Sequence, residues 1–352
     1  MMRNLLRVLE CLTTLSLLVV MCAGCSKRSG DDQPSVAYVS NGTARFFVIA
    51  ERGAMAGGRD FNVDVQVRMP PNGVADQKRM VQDLLSRGTD GIAISPIDPD
   101  NQQDMLTEAA NHTNLITQDS DAPDCGRLCY VGVDNYVAGR MCGALVKDVM
   151  PEGGTVVIFI GRIGQLNGRL RRQGVIDELL DRDHDSTRFD EAGKVLKGEK
   201  YTILDTCTDD LDTGRALAEA EDAISRFPEL NCMVGLFDYN PPQCLQAIKK
   251  AGKLGAIHVV AFDEADGTLA GIAAGEIYGT IVQDPYRYGY ESVRILAGLA
   301  RGDKSVLPEG GFLDIPARKI TKENVKEFWD ELKRVLQQGE AAEEGDKVTG
   351  ES

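Results

Sequence analysis

Histidine is nearly missing from this 352-residue chain: there are three, His112, His184 and His258, all far apart. That removes the usual basis for a His-rich metal site or a His-dependent catalytic triad, and no GxSxG nucleophile elbow is present. Basic residues are also in deficit, 39 Lys and Arg against 54 Asp and Glu, a formal charge of −15 and a pI near 4.8. Nucleic acid is excluded as a partner, because phosphate binding needs clustered Lys and Arg. No apolar run is long enough for a comfortable membrane span; the longest, Leu12 to Met21, is interrupted by Thr13, Thr14 and Ser16. A low-complexity linker is absent as well. What remains is ordinary globular composition, 43% hydrophobic and 26% charged, and a length that suits two domains of about 150 residues.

The first residues read as an address. Arg3 and Arg7 precede the apolar run, which ends in Cys22-Ala23-Gly24-Cys25 before a polar stretch. Small residues before a cysteine resemble the lipobox of bacterial lipoproteins, although Cys22 stands where that motif usually has Leu. The resemblance implies acylation of Cys25, a signal segment 1–24, a linker 25–33 and a membrane-anchored, extracytoplasmic location. In that oxidising setting the close pair Cys125 and Cys129 is expected to form a small disulfide loop. Sequence leaves the pairing of Cys142, Cys207, Cys232 and Cys244 open.

From Ser35 onward, short apolar runs alternate with helical stretches. Strands are expected at Val36–Val39, Val63–Val67, Gly91–Ile94, Leu115–Thr117, Thr155–Ile160, Tyr201–Leu204, Cys232–Phe237, His258–Phe262 and Gly279–Val282. Helices fit Asp76–Arg87, with Gly88 as a stop, Asp134–Val149, and a segment opened by Pro241-Pro242. Repeated β-α order with nearly continuous apolar strands predicts parallel sheets covered on both faces, and a break near Gly132–Asn135 divides them into two doubly wound α/β domains. A strand at Phe312–Ala317, an amphipathic helix at Thr321–Leu336 and a disordered acidic tail at 337–352 complete the expectation.

In such sheets ligands bind beyond the carboxyl ends of the strands. The residues there are Ser40-Asn41, Ser95-Pro96, Gln118-Asp119, Gly161-Arg162, Asp205-Thr206, Asp238-Tyr239, Asp263-Glu264 and Gln283-Asp284. A lining of carboxylates, amides and hydroxyls suits a neutral polyhydroxylated ligand better than a phosphate or a lipid. The Gly161-x-x-Gly164-x-x-x-Gly168 run fits neither a dinucleotide fingerprint nor a P-loop, so no cofactor is expected.

The order and spacing of several short pieces then resemble the ribose-binding type of periplasmic sugar-binding proteins of ABC transporters. They are Ser40 with Phe46-Phe47, Leu85-x-x-Gly88-Thr89-x-Gly91-Ile92, Ile116-Thr117-x-Asp119, Val133-Asp134-Asn135, Val260-Ala261-Phe262-Asp263 and Gly279-Thr280-Ile281-Val282-Gln283. The resemblance implies a type I periplasmic binding protein: two Rossmann-like domains, 34–133 with 284–310 and 134–283 with 311–336, joined by a three-strand hinge. It also implies a site in which Phe46 and Phe47 stack on the ring, Asp119 and Asp263 accept from hydroxyls, Arg169 forks to oxygens and Gln283 bonds from the hinge side. Ser40, Phe237 and Asp238 join the expected lining. Departures from the ribose pattern are Ala44-Arg45 before Phe46, Ser120 after Asp119, and Phe237, which points to a ligand other than ribose. The implied protein is a monomer that binds a sugar or sugar alcohol and delivers it to an ABC permease, without catalysis and without metal. A sensory module for a histidine kinase or chemoreceptor, and an exported sugar-modifying enzyme, are the alternatives.

Overall fold

The computed structural model describes residues 33–349, with side chains as far as Gln337. The signal segment, Cys25 and all of the linker before Gln33 lie outside the described residues. The first unit runs β1 (Ser35–Val39), α1 (Arg45–Phe61), β2 (Asp64–Arg68), α2 (Val74–Ser86), β3 (Gly91–Ile94), α3 (Pro99–His112), β4 (Asn114–Gln118) and β5 (Tyr130–Gly132). The second runs α4 (Asn135–Val149), β6 (Gly154–Ile160), α5 (Leu166–Leu179), β7 (Leu196–Lys197), β8 (Tyr201–Thr208), α6 (Thr213–Arg226), β9 (Cys232–Gly235), α7 (Asn240–Lys250), β10 (His258–Phe262), α8 (Asp266–Ala274) and β11 (Gly279–Val282). The chain ends with α9 (Pro285–Ala300), β12 (Phe312–Asp314), β13 (Arg318–Thr321) and α10 (Val325–Thr349).

Six strands form the first sheet in the order β12-β5-β4-β3-β1-β2, all parallel. Seven form the second, β13-β11-β10-β9-β6-β8-β7, parallel except at its two edges. Alternation within β1 explains the layering: Val36 and Tyr38 enter the core under α1 and α9, while Ala37 and Val39 enter the one on the opposite face. Helix starts are written in side chains. Asp98, Asp134, Asp212 and Asp284 each accept a backbone N–H of the turn they open, and Pro99 and Pro285 occupy first positions that need no donor.

Three expectations need correction. Phe312–Asp314 pairs with β5 in the first sheet, so the third passage between sheets falls between Asp314 and Arg318, beyond the expected boundary at 310. The backbone of α10 continues through Thr349 where a disordered tail was expected; the Ala and Glu residues there are strong helix formers. Finally, Cys125 and Cys129 are both free, because Cys125 packs into the core on one face of the first sheet and Cys129 into the core on the other. Burial pushes the Cys129 thiol up to about 11, which keeps it protonated and unreactive.

The helix that carries much of the site is fixed by a reciprocal glycine contact. A Cβ on Gly139 of α4 would stand 2.1 Å from the Arg171 carbonyl oxygen, and one on Gly174 of α5 would stand 2.1 Å from the Tyr136 carbonyl oxygen. Both neighbours are backbone, so neither can rotate away. Gly139→Ala is therefore expected to push α4 and α5 apart and cost about 2–3 kcal/mol, read as a lower urea midpoint at unchanged slope.

Candidate functional site

The carboxyl ends of the strands of both units open onto one cavity of about 570 Å³. Among its lining residues are Asn41, Phe46, Phe47 and Asp119 from the first unit, Gln165, Asn167, Arg171, Phe237, Asp238, Tyr239 and Asp263 from the second, and Gln283 after β11. A volume of this size holds a small molecule with several polar groups.

Asp119 and Asp263 occupy equivalent stations, each the residue after its strand, and each has left-handed backbone, φ 59° and 64°. Asp tolerates this conformation, at a cost that is common where a side chain must be aimed at a site. Neither residue caps the helix that follows. Asp119 Oδ2 accepts from Ser95 Oγ at 2.7 Å and Asn41 Nδ2 at 3.1 Å, and Asn167 reaches it from the other unit. Asp263 Oδ1 accepts from Gln283 Nε2 at 2.8 Å, and Tyr288 Oη donates to Gln283 Oε1 at 3.1 Å. The hinge-side glutamine is thus locked in orientation by the helix that returns the chain to the first unit.

Arg171, 2% exposed, is the guanidinium of the cavity. Its Nε donates to Asn135 Oδ1 at 2.8 Å, its Nη1 lies 3.3 Å from the Leu236 carbonyl and 3.8 Å from Asp263 Oδ2, and its plane sits 4.2 Å from the Phe262 ring centroid. Its Nη2 is buried with no protein partner, a donor left for whatever enters the cavity. Arg169, the arginine expected here, instead lies over the Phe189 ring at 5.1 Å. The reason is helix phase. Asn167 and Arg171 are four residues apart and share a face of α5, whereas Arg169 is two residues from each and points away.

Phe46 and Phe47 both line the cavity and meet edge to face, centroids 5.1 Å apart, with Tyr288 behind Phe46. From the second unit, Phe237 and Tyr239 add a second pair of rings. Ser40 is not part of the lining. Its Oγ donates to the Gly42 carbonyl at 2.6 Å and its carbonyl accepts from Gln77 Nε2 at 2.7 Å, so it shapes the turn that presents Asn41. The strand-end rule points at Asn41 and Tyr239, beside Ser40 and Asp238, whereas Asn167 and Arg171 follow from the phase of α5.

Burial raises Asp119, Asp238 and Asp263 above the ordinary carboxylate range, with Asp263 reaching about 7. Arg171 and the hydrogen-bond donors oppose that shift for Asp119 and Asp263; Asp238 has only the Tyr239 backbone N–H. Among the described residues no group of three His, Cys, Asp or Glu could hold a metal ion, and no helix is long and apolar enough to cross a membrane.

A sequence profile described as a periplasmic binding protein domain matches residues 35–304. The chain belongs to the periplasmic binding proteins. Within that family it is of the ribose-binding-like type I class. It is 25% identical to the ribose import binding protein RbsB of Escherichia coli (strain K12) over 295 residues, covering 83% of this chain and 93% of RbsB. It is 26% identical to a xylitol-binding protein of Mycolicibacterium smegmatis (strain ATCC 700084 / mc(2)155) over 270 residues, 75% of this chain and 70% of that protein. An ABC transporter solute-binding protein of Burkholderia graminis C4D1M, solved in complex with D-arabinose, superposes with a TM-score of 0.75 at 25% identity, covering 84% of this chain and 98% of that one. This periplasmic binding protein thus sits among sugar binders, and its extracytoplasmic setting agrees with the family.

Proposed function

We propose that this protein captures a sugar or sugar alcohol in the cavity between its two units and delivers it to an ABC permease, held at the membrane through an acylated Cys25. The observation that supports this most is the convergence of aromatic rings with Asp119, Asp263 and the free Nη2 of Arg171 on one cavity. Rings cover the C–H faces of a sugar while carboxylates and a guanidinium take its hydroxyls. The three passages of chain between the sheets would act as the hinge, and ligand binding would favour the closed form that a permease recognises. The ligand leaves unchanged; no turnover step belongs to this reading.

Calorimetric titration across pentoses, hexoses, deoxy sugars, polyols and amino sugars tests the binding half. One structural class should bind and, at a thousandfold excess over its Kd, stabilise the protein by about 4 kcal/mol. A folded sample that binds none of these compounds defeats the assignment. The delivery half is tested by ATP hydrolysis of a reconstituted permease, which only the liganded protein should stimulate.

A further inference from the structure

The acidic and basic side chains that line the cavity are four carboxylates, Asp119, Asp210, Asp238 and Asp263, and two guanidiniums, Arg162 and Arg171. Asp210 is already paired with Arg215 at 2.6 Å, and Arg162 turns its Nη2 to the Asp210 carbonyl at 3.4 Å. With Asp210 paired to Arg215, three buried or half-buried carboxylates face two guanidiniums, Arg162 with a single contact to a neutral carbonyl and Arg171 serving Asp119 and Asp263. Among the described residues no cation pairs with Asp238, and the donor that lowers it is the Tyr239 backbone N–H. A second, independent observation points the same way: Gln165, 1% exposed and lining the same cavity, has its Oε1 buried without a donor. Carboxylates outnumber guanidiniums on the surface that meets the ligand, and burial raises Asp119, Asp238 and Asp263, so without a further cation their charge is relieved by protons.

A neutral sugar adds donors and acceptors in equal kind and leaves the charge excess in place, in a setting where unpaired charge is costly. An ammonium group adds three donors, no acceptor and one positive charge, and the rings of Phe46, Phe47, Phe237 and Tyr239 favour a cation as well. We propose that the ligand is cationic, an amino sugar or aminated polyol, with its ammonium set toward Asp238 and Asp263 and its remaining hydroxyls toward Arg171 and Asn167. This deepens, and rests on, the reading of the cavity as a sugar site.

Matched pairs at about pH 6.5, where such amines are protonated, give the test: D-glucosamine against D-glucose, D-galactosamine against D-galactose, and an aminodeoxyinositol against myo-inositol, each titrated calorimetrically. The amine of at least one pair should bind about tenfold or more tightly than its neutral partner. N-Acetylation of that amine should abolish the advantage, and Asp238→Asn should lower the ratio of amine to neutral affinity. Neutral sugars binding as tightly as their amines, or an advantage undiminished in Asp238→Asn, overturns the inference and leaves the sugar site standing. Binding by neither member of any pair, nor by any other sugar or polyol, removes the sugar site and the inference together.

Discussion

Arg171→Met should weaken ligand binding severely and destabilise the fold, whereas Arg169→Ala should do neither to a comparable degree. Methionine keeps the length of the side chain but removes the charge that faces two buried carboxylates and the donors used by Asn135 and the Leu236 carbonyl. Breaking a buried ion pair from one side costs about 3–5 kcal/mol, because the remaining charge is left uncompensated. Part of that loss will be relieved by protonation of Asp263, which is already raised to about 7. The affinity should fall by about a hundredfold or more, since Nη2 is the donor that the protein leaves unused. Arg169, by contrast, contributes its contact with the Phe189 ring, worth about 0.5–1 kcal/mol at a partly exposed site. Urea unfolding and calorimetric titration of the two variants check both statements. An affinity loss larger for Arg169→Ala than for Arg171→Met would mean that α5 has the wrong rotational phase.

The second large effect concerns pH. Burial, more than any neighbouring charge, raises Asp263 to about 7, and the adjacent Glu264 is driven upward by burial and by Asp263 itself. In the unfolded chain an aspartate titrates near 3.9. Between those values the folded protein binds protons that the unfolded chain has released, so this group stabilises fully below about pH 4 and its contribution is lost as pH rises through about 7. Asp119, Asp209 and Asp238 are shifted in the same direction by burial. The ligand-free protein should therefore lose stability from about pH 4 to about pH 7, with Asp263 and Glu264 contributing together. Carboxylates that are lowered, such as Asp266 beside Arg45, act in the opposite sense below that window. Asp263→Asn keeps an acceptor for Gln283 and removes the titration, so its thermal midpoint should vary much less between about pH 4 and 7. A variant whose pH profile matches the parent would show that Asp263 titrates normally.

Most strands were legible because their apolar runs are bounded by turn residues: Gly91–Ile94, His258–Phe262 and Gly279–Val282 begin and end where periodicity places them. What escaped was short or interrupted. β5 has three residues, β7 two, and β12 and β13 are separated by only Ile315-Pro316-Ala317, so one strand was expected where the chain leaves one sheet and enters the other. At the site, Asp119, Asp263, Gln283, Phe46, Phe47, Phe237 and Asp238 all meet in the cavity because each follows a strand or opens a helix at the same end of a sheet. Arg169 and Ser40 did not. α5 is buried on more than one face, with Arg171 and Arg172 both inside, so hydrophobic periodicity carries no information about which arginine turns inward. For the cysteines, closeness in sequence said nothing about the sheet that stands between them.

Neither sheet is complete until nearly the whole chain exists. β12 closes an edge of the first against β5, and β13 closes an edge of the second against β11. During synthesis, a nascent chain that ends anywhere before Phe312 therefore has two unfinished halves, each with an unpaired edge strand. The closing contacts join residues far apart in sequence, so loop-closure entropy delays them and folding should be slow, with its last step reserved for the carboxyl-terminal segment.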